Sequence, residues 1–332
     1  VFESKFFHGW TGEPGNVPRA DRGARPWRGC RGITLIEVLT VITMITILTA
    51  MMFPALSSAR ERARAASCMN NQRQIGLVFN MFVDHKDGKL PTLGNGEMGE
   101  KGWKTTSWGA FYRLTPYLDN EALLFREPDK DKVMAASPQV LYCPSRGRAF
   151  KIRDSLWTQG FPFGGSDFAF NLGTAEVGAD VPFPAHCQDP TLPFNGPLGR
   201  NSEDRYIFSG FADGAEFTVL LSEVYAQPDE RGMQRPGQIA GWVGGLPPCT
   251  TDVEPAKWAT DTARSMAIAP RPNVSGATSL EGKAGFGSSH PTIIHTLMVG
   301  GSVRQTSLDI DLEVWNALGT RNGGEYIDVT RF

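Results

Sequence analysis

Cysteine is scarce in this chain and poorly spaced for chemistry. Five occur in 332 residues, at Cys30, Cys68, Cys143, Cys187 and Cys249, and no two form a CxxC pair. That weighs against a zinc ribbon or a thioredoxin-like redox motif. Net charge is nearly absent as well: 33 Lys and Arg against 35 Asp and Glu leave −2. Bulk electrostatics therefore point to no nucleic-acid partner. Ser288-Ser289-His290 is not set in a G-x-S-x-G elbow. Gly164-Gly165 and Gly244-Gly245 lack the strand-glycine-helix setting of a phosphate loop. No acidic residues fall at EF-hand spacing, and Asp213-Gly214 reads as a turn. His290 and His295 are five apart, an odd spacing that on one strand puts them on opposite faces and argues against a shared metal. Glu223 reads as a solvated or salt-bridged strand-end residue, and the scattered tryptophans as core. No catalytic set, cofactor or metal is expected.

What is abundant is glycine and proline, 37 and 23 residues, which favour a loop-rich, sheet-bearing body over a helical bundle. The first 32 residues carry Arg19, Arg22, Arg25, Arg28 and Arg31 and no apolar periodicity, and read as a basic, disordered leader. At Ile33 an apolar run begins and continues to residue 53, long enough for one helical membrane span. No small-residue cleavage site ends it, which weakens a conventional secretory signal. Basic residues ahead of it predict that this end stays in the cytoplasm and that the rest is extracytoplasmic.

Two residues of the run demand a reason. Glu37 is its only charge; insertion scales put an ionised Asp at mid-span at roughly 2.5–3.5 kcal/mol, less near the end. Pro54 falls where the helix continues, and should bend it. Beyond it the chain turns amphipathic. Ala65, Cys68, Gln72, Ile75, Phe79 and Phe82 recur at helical spacing, and Asp87-Gly88 supplies a stop. We expect one helix over 33–86, with its membrane part at 33–53, followed by an α+β domain over 87–332. In that domain 108–118 reads as a short helix plus turn, 139–144 as a short buried segment, 167–171 and 216–224 as strands. Residues 177–202 and 226–282 read as loop-rich, 293–304 as a hairpin turning at Gly300-Gly301, and 311–318 as a helix.

The junction Gly32-Ile33-Thr34-Leu35-Ile36-Glu37 resembles the type IV prepilin leader site. There a membrane peptidase cuts after the glycine and methylates the new N-terminus, and the glutamate is the fifth mature residue. The resemblance implies a cut between Gly32 and Ile33. It also implies a pilin-like fold, with a long helix on an antiparallel sheet. In a filament the freed amine of Ile33 can pair with Glu37 of a neighbour, offsetting the desolvation of both. The body resembles the prepilin-like proteins with domain of unknown function 1559. The resemblance lies in Cys68-Met69-Asn70-Asn71-Gln72, Cys143-Pro144-Ser145, Ala212-Asp213-Gly214 with Glu223, Gly287-Ser288-Ser289-His290-Pro291, and Trp315 through Arg321. That family usually has Asp where Gly300 stands, and Gly-Gly where Thr292-Ile293 stand.

These readings give a structural subunit that is a peptidase's substrate and not itself an enzyme. Its expected partners are a prepilin peptidase, other pilin or pseudopilin subunits and the inner membrane. It is expected to cross that membrane once and to reach the cell surface if built into a pilus or pseudopilus. The alternative is a singly anchored envelope protein that never polymerises and whose body binds a ligand or partner. Outside the cytoplasm, Cys68, Cys143, Cys187 and Cys249 are candidates for two disulfides, with three connectivities open; the alternative is free buried thiols.

Overall fold

A computed structural model describes residues 32–94, 98–99, 102–103, 109–118, 127, 129–136, 138–146, 151–152, 163–174, 195–199, 206–225, 240–241, 263–273 and 285–325. Residues 1–31, Cys30, Cys187 and Cys249 lie outside them, as do most of 177–202 and 226–282.

Helix α1 spans Leu35–His85, with Pro54 inside it. Its start is apolar and uncovered: Leu35, Ile36, Leu48, Met51 and Phe53 are all exposed. By length and composition it can cross a membrane. Thr40, Thr43, Thr46 and Thr49 recur every third residue, and each hydroxyl donates to a carbonyl three or four residues back at 2.8–3.0 Å. In hydrocarbon those hydroxyls are satisfied within the helix itself.

The chain divides at Pro54 into two units, Val1–Pro54 and Ala55–Phe332, so the second half of α1 groups with the body. All six residues of the stripe expected from the sequence are buried there, joined by Gly76, Val78 and Val83. Burying Ile75, Val78, Phe79, Phe82 and Val83 contributes roughly 1.5–3 kcal/mol each. The helix stops as its sequence dictates. Asp87 and Gly88 take positive φ (54° and 79°), and Gly88 N–H donates to the Val83 carbonyl at 2.9 Å. This is a Schellman-type closure.

The main sheet is built from β1 (Phe168–Asn171), β2 (Val219–Glu223), β3 (Ala263–Arg264), β4 (Ile293–Met298) and β5 (Val303–Ser307). Its order is β5-β4-β2-β1-β3. The first four are antiparallel and β3 joins β1 in parallel. β4 and β5 form the expected hairpin, with Gly301 at φ 94° in its turn. Met298 opposes Val219 while Leu297 opposes Leu221, so Leu220 is an extra residue, a bulge in β2. The strands read at 167–171 and 216–224 are present but shorter at their ends, whereas the second strand of the hairpin runs on past residue 304 to Ser307. β1 is buried at all four positions instead of alternating, because both faces of the sheet are covered.

On one face, Phe168, Phe170, Leu221 and Leu297 pack with Cys68, Ile75, Phe79 and Phe82 of α1. Helix α2 (Ala110–Leu114) adds Phe111, whose ring lies 4.4 Å from that of Phe170. On the other, Ala169, Ile294 and Met298 pack with Val314, Trp315 and Leu318. These belong to the C-terminal helix Leu312–Gly319, here α3, which Asp311 caps through the Glu313 N–H at 2.9 Å. The body is therefore α+β, with α1 on one face of the sheet and α3 on the other.

Two turns are held by carboxylates. At Gly300 the Glu216 carboxylate fills the space a side chain would take; it accepts from Ser302 Oγ at 2.7 Å and so supplies a carboxylate to the turn. Asp213 does sit in a turn, and its carboxylate also accepts from the N–H groups of Gly323 and Gly324 at 2.7 and 2.9 Å.

Gly76 sets how closely α1 lies on the hairpin. A Cβ there would stand 2.8 Å from Leu297 Cδ1 and 3.3 Å from the Gly301 carbonyl oxygen. Gly76→Leu is expected to lift the helix and to lower stability by about 1–3 kcal/mol, the usual cost of overpacking. Gly76→Ala should cost much less, since Leu297 can turn aside. Thermal unfolding of the two variants checks the ranking.

Candidate functional site

The N-terminal junction shows a device that local spacing alone creates. Thr34 immediately precedes α1 and Glu37 is the third helical residue. Glu37 Oε2 accepts from both the backbone N–H and the hydroxyl of Thr34, each at 2.8 Å. Thr34 Oγ1 accepts in turn from Glu37 N–H at 3.4 Å. This is a capping box, T-x-x-E, in which two otherwise orphaned backbone donors are satisfied reciprocally. The sequence reading of Glu37 missed it, although the spacing was legible. Gly32 is the first residue described, with open space around its Cα.

A second constellation lies inside the body, on the α1 face of the sheet. Five elements deliver it. α1 brings Cys68 and Glu61. The stretch after the short helix Gln139–Leu141 brings Cys143 and Ser145. β2 ends in Glu223, the segment before β4 brings Ser288 and His290, and β4 brings His295. Cys68, Cys143, Glu223, His290 and His295 are all buried. Glu223 and His295 meet because neighbouring strands project them to the same side, with His295 Nδ1 2.6 Å from Glu223 Oε1. Cys68 Sγ donates to Glu223 Oε1 at 3.2 Å, and Ser288 Oγ donates to the other carboxylate oxygen. His290 Nε2 faces Cys143 Sγ at 3.5 Å and Glu223 Oε1 at 3.7 Å. Its Nδ1 is held by Glu61 Oε1 at 2.7 Å, and Glu61 also accepts from Ser145 Oγ at 2.6 Å.

The two histidines, expected on opposite faces of one strand, have rings 4.9 Å apart and perpendicular. Strand parity does not apply, because His290 lies in a bend before β4 begins at Ile293. Glu223 is salt-bridged, as one reading allowed, but to His290 and away from water. Cys68 and Cys143 are free thiols. Ligand-capable atoms of Cys68, Glu223, His290 and His295 all lie within 4.8 Å of one another.

Supporting hydrogen bonds fix the frame. Asn71 Nδ2 donates to the Tyr142 carbonyl at 2.7 Å. Gln72 Nε2 and Ser222 Oγ both donate to the His295 carbonyl, at 3.0 and 2.8 Å. Asp167 Oδ2 accepts from Cys143 N–H at 2.7 Å, and its other oxygen pairs with Arg146.

The electrostatics follow from crowding. Its hydrogen bond with Cys68, then that with His290, pull the Cys143 thiol down to about 7 against the effect of burial. The same Cys143 contact, together with burial and Glu223, pushes Cys68 up. Burial works to lower His290, but Cys143, Glu223 and Glu61 outweigh it and raise it to about 9. Burial would raise Glu223, yet His295, His290 and Ser288 hold it below the ordinary carboxylate value. Burial raises Asp167 even beside Arg146.

Cys143, His290 and Glu61 stand in the order nucleophile, base and orienting carboxylate, the geometry of a thiol hydrolase. Burial argues otherwise: Cys143 is 3% and His290 1% exposed, so an acyl carbon has no approach to the sulfur through the described residues. The arrangement suits a closed, structure-holding role better than turnover.

None of the five converging side chains is near another in sequence except the two histidines, and no ligand spacing announces them. The available signal was Glu223 itself, a carboxylate within the apolar stretch Val219–Val224, since a buried charge must find partners.

Neither a curated protein nor a solved structure matches the chain. Residues 27–53 match the prokaryotic N-terminal methylation motif, which makes the start of the chain that of a type IV pilin-like prepilin. Residues 57–313 match the family described as protein of unknown function DUF1559, and with that match covering most of its length the chain belongs to that family.

Proposed function

We propose that the chain is a prepilin-like structural subunit, processed by a membrane peptidase between Gly32 and Ile33 and assembled into a type IV pilus or a type II secretion pseudopilus. The observation that carries this reading is the methylation motif over 27–53 coinciding with an apolar helix whose single carboxylate, Glu37, lies five residues past Gly32. A side chain at Gly32 would meet nothing within 4 Å among the described residues, which suits access of a peptidase to the bond. The exposed side chains of 33–53 suit first a bilayer and then the packed centre of a filament. The body, outside the inner membrane, is displayed on whatever the helices build.

The test is the N-terminus of the protein recovered from native membranes, read by intact mass and peptide sequencing. The expected chain starts at N-methylated Ile33. Retention of residues 1–32 would remove the proposal, and a cut beyond Pro54 would make the body a secreted domain.

One observation favours a second reading, a processed but non-polymerising envelope protein. The Glu37 carboxylate is already hydrogen-bonded to Thr34 of its own chain, so it has a use without a neighbour. Cross-linking between apolar helices in intact cells separates the two: ladders of cross-linked subunits support assembly, and monomer alone supports the anchor.

A further inference from the structure

We propose that the buried cluster is a structural zinc site, with Cys68 Sγ, His290 Nε2 and Glu223 Oε1 as three mutually close ligands and Cys143 Sγ, 3.5 Å from His290 Nε2, as the fourth. The inference is independent of whether the chain polymerises.

The distances carry it. Zinc bonds of about 2.0–2.3 Å to sulfur, nitrogen and oxygen imply tetrahedral edges of roughly 3.3–3.8 Å. Cys68 Sγ to Glu223 Oε1 is 3.2 Å, Cys143 Sγ to His290 Nε2 is 3.5 Å, and His290 Nε2 to Glu223 Oε1 is 3.7 Å. His295 Nδ1 stands only 2.6 Å from the same carboxylate oxygen. That is too close for these two atoms to share one ion, so Nδ1 supports Glu223 by a hydrogen bond and only Nε2 of His295 is left to reach an ion. Its Nε2 is buried with no partner among the described residues.

The surroundings are those of a metal centre. A ligating histidine commonly gives its other ring nitrogen to a carboxylate, which fixes tautomer and ring orientation. His290 Nδ1 is held in this way by Glu61 at 2.7 Å, with Ser145 behind it. Glu223 is braced by Ser288, whose oxygen also accepts the His290 N–H at 3.0 Å. Cys143 is fixed through its backbone by Asp167. Two thiols and an imidazole select a borderline-soft divalent ion over calcium or magnesium. Full burial matches a closed structural site in preference to a catalytic one with an open position. The ion would join α1 to β2 and to the two loops around it.

The test uses the full-length chain, reduced, in detergent. Zinc is added, excess is removed with a weak chelator, and the metal is counted by plasma mass spectrometry. One zinc per chain is expected. Cobalt in its place should give a thiolate-to-metal charge-transfer band and the strong visible absorption of tetrahedral coordination. Cys143→Ser and His290→Ala should each lose the zinc. Should those variants fold poorly, Glu61→Gln keeps the four ligands and should still weaken zinc binding by about 10–100-fold. Three results would overturn the proposal: no zinc retained by the reduced parent, equal zinc affinity in parent and Glu61→Gln, or a Cys68–Cys143 disulfide in the chain taken from native membranes.

Discussion

Glu37→Gln is expected to leave membrane insertion and leader removal intact and to cut filament assembly by about 100-fold or more. Two uses of the carboxylate predict different outcomes. As one half of the Thr34–Glu37 capping box, its task is to accept hydrogen bonds from Thr34 at 2.8 Å. Glutamine does that nearly as well, since Glu and Gln share the third helical position in such boxes. As the partner of a neighbour's N-terminal amine it must carry charge. A buried pair broken by removing one member costs about 3–5 kcal/mol, because the other charge is left unpaired; at ~1.4 kcal/mol per tenfold that is at least two orders of magnitude in association. Thr34→Val reverses the pattern. It removes the hydroxyl and keeps the charge, so helix initiation weakens by about 0.5–2 kcal/mol while assembly stays near the parent level. The readouts are the sheared surface fraction, for assembly, and carbonate-resistant membrane protein, for insertion. Equal assembly by Glu37→Gln and the parent would assign the carboxylate to the capping box and retire the amine pairing. Loss of assembly in both variants would mean that the start of α1 must be well formed before any pairing counts.

What could be read from the sequence divides by the range of the contacts involved. The stripe Ala65, Cys68, Gln72, Ile75, Phe79 and Phe82 was legible because helical period is local and the face it buries is continuous. The same holds for the Gly300-Gly301 hairpin, the helix read at 311–318 and the stop at Asp87-Gly88. Strand β1 was legible in position but not in burial, because α3 covers the second face from 140 residues away. The constellation around Glu223 was not legible. Its members sit at 68, 143, 223, 290 and 295, and the pairing of β2 with β4, the docking of α1 and two intervening loops bring them together. Parity misled at His290 because it assumes that both histidines share a strand. Yet the patches quoted for the family resemblance, around Cys68, Cys143, Glu223 and His290, are those that converge.

Arg146→Met is the second change with a large expected effect, and it tests whether the constellation around Glu223 is held from behind. Arg146 and Asp167 are almost fully buried as a pair, their side chains 9% and 4% exposed. Asp167 also accepts the backbone N–H of Cys143, and its own backbone pairs with Leu141 and Val224. With Arg146 gone, burial already raising Asp167 loses the cation that opposes it. The loss should be about 3–5 kcal/mol, or a melting midpoint lower by roughly 10 °C in a domain of this size. Arg146→Met with Asp167→Leu should recover most of it, since an apolar pair of similar volume often replaces a buried ion pair without loss. Recovery should stop short of the parent by about 1–3 kcal/mol, because the Cys143 N–H is then buried without an acceptor. That residue is the informative one. If Asp167 positions Cys143, alkylation of the Cys143 thiol should quicken in both the single and the double variant, although the double melts close to the parent. If alkylation tracks melting alone, the pair serves stability and Cys143 is placed by α1 and His290 instead.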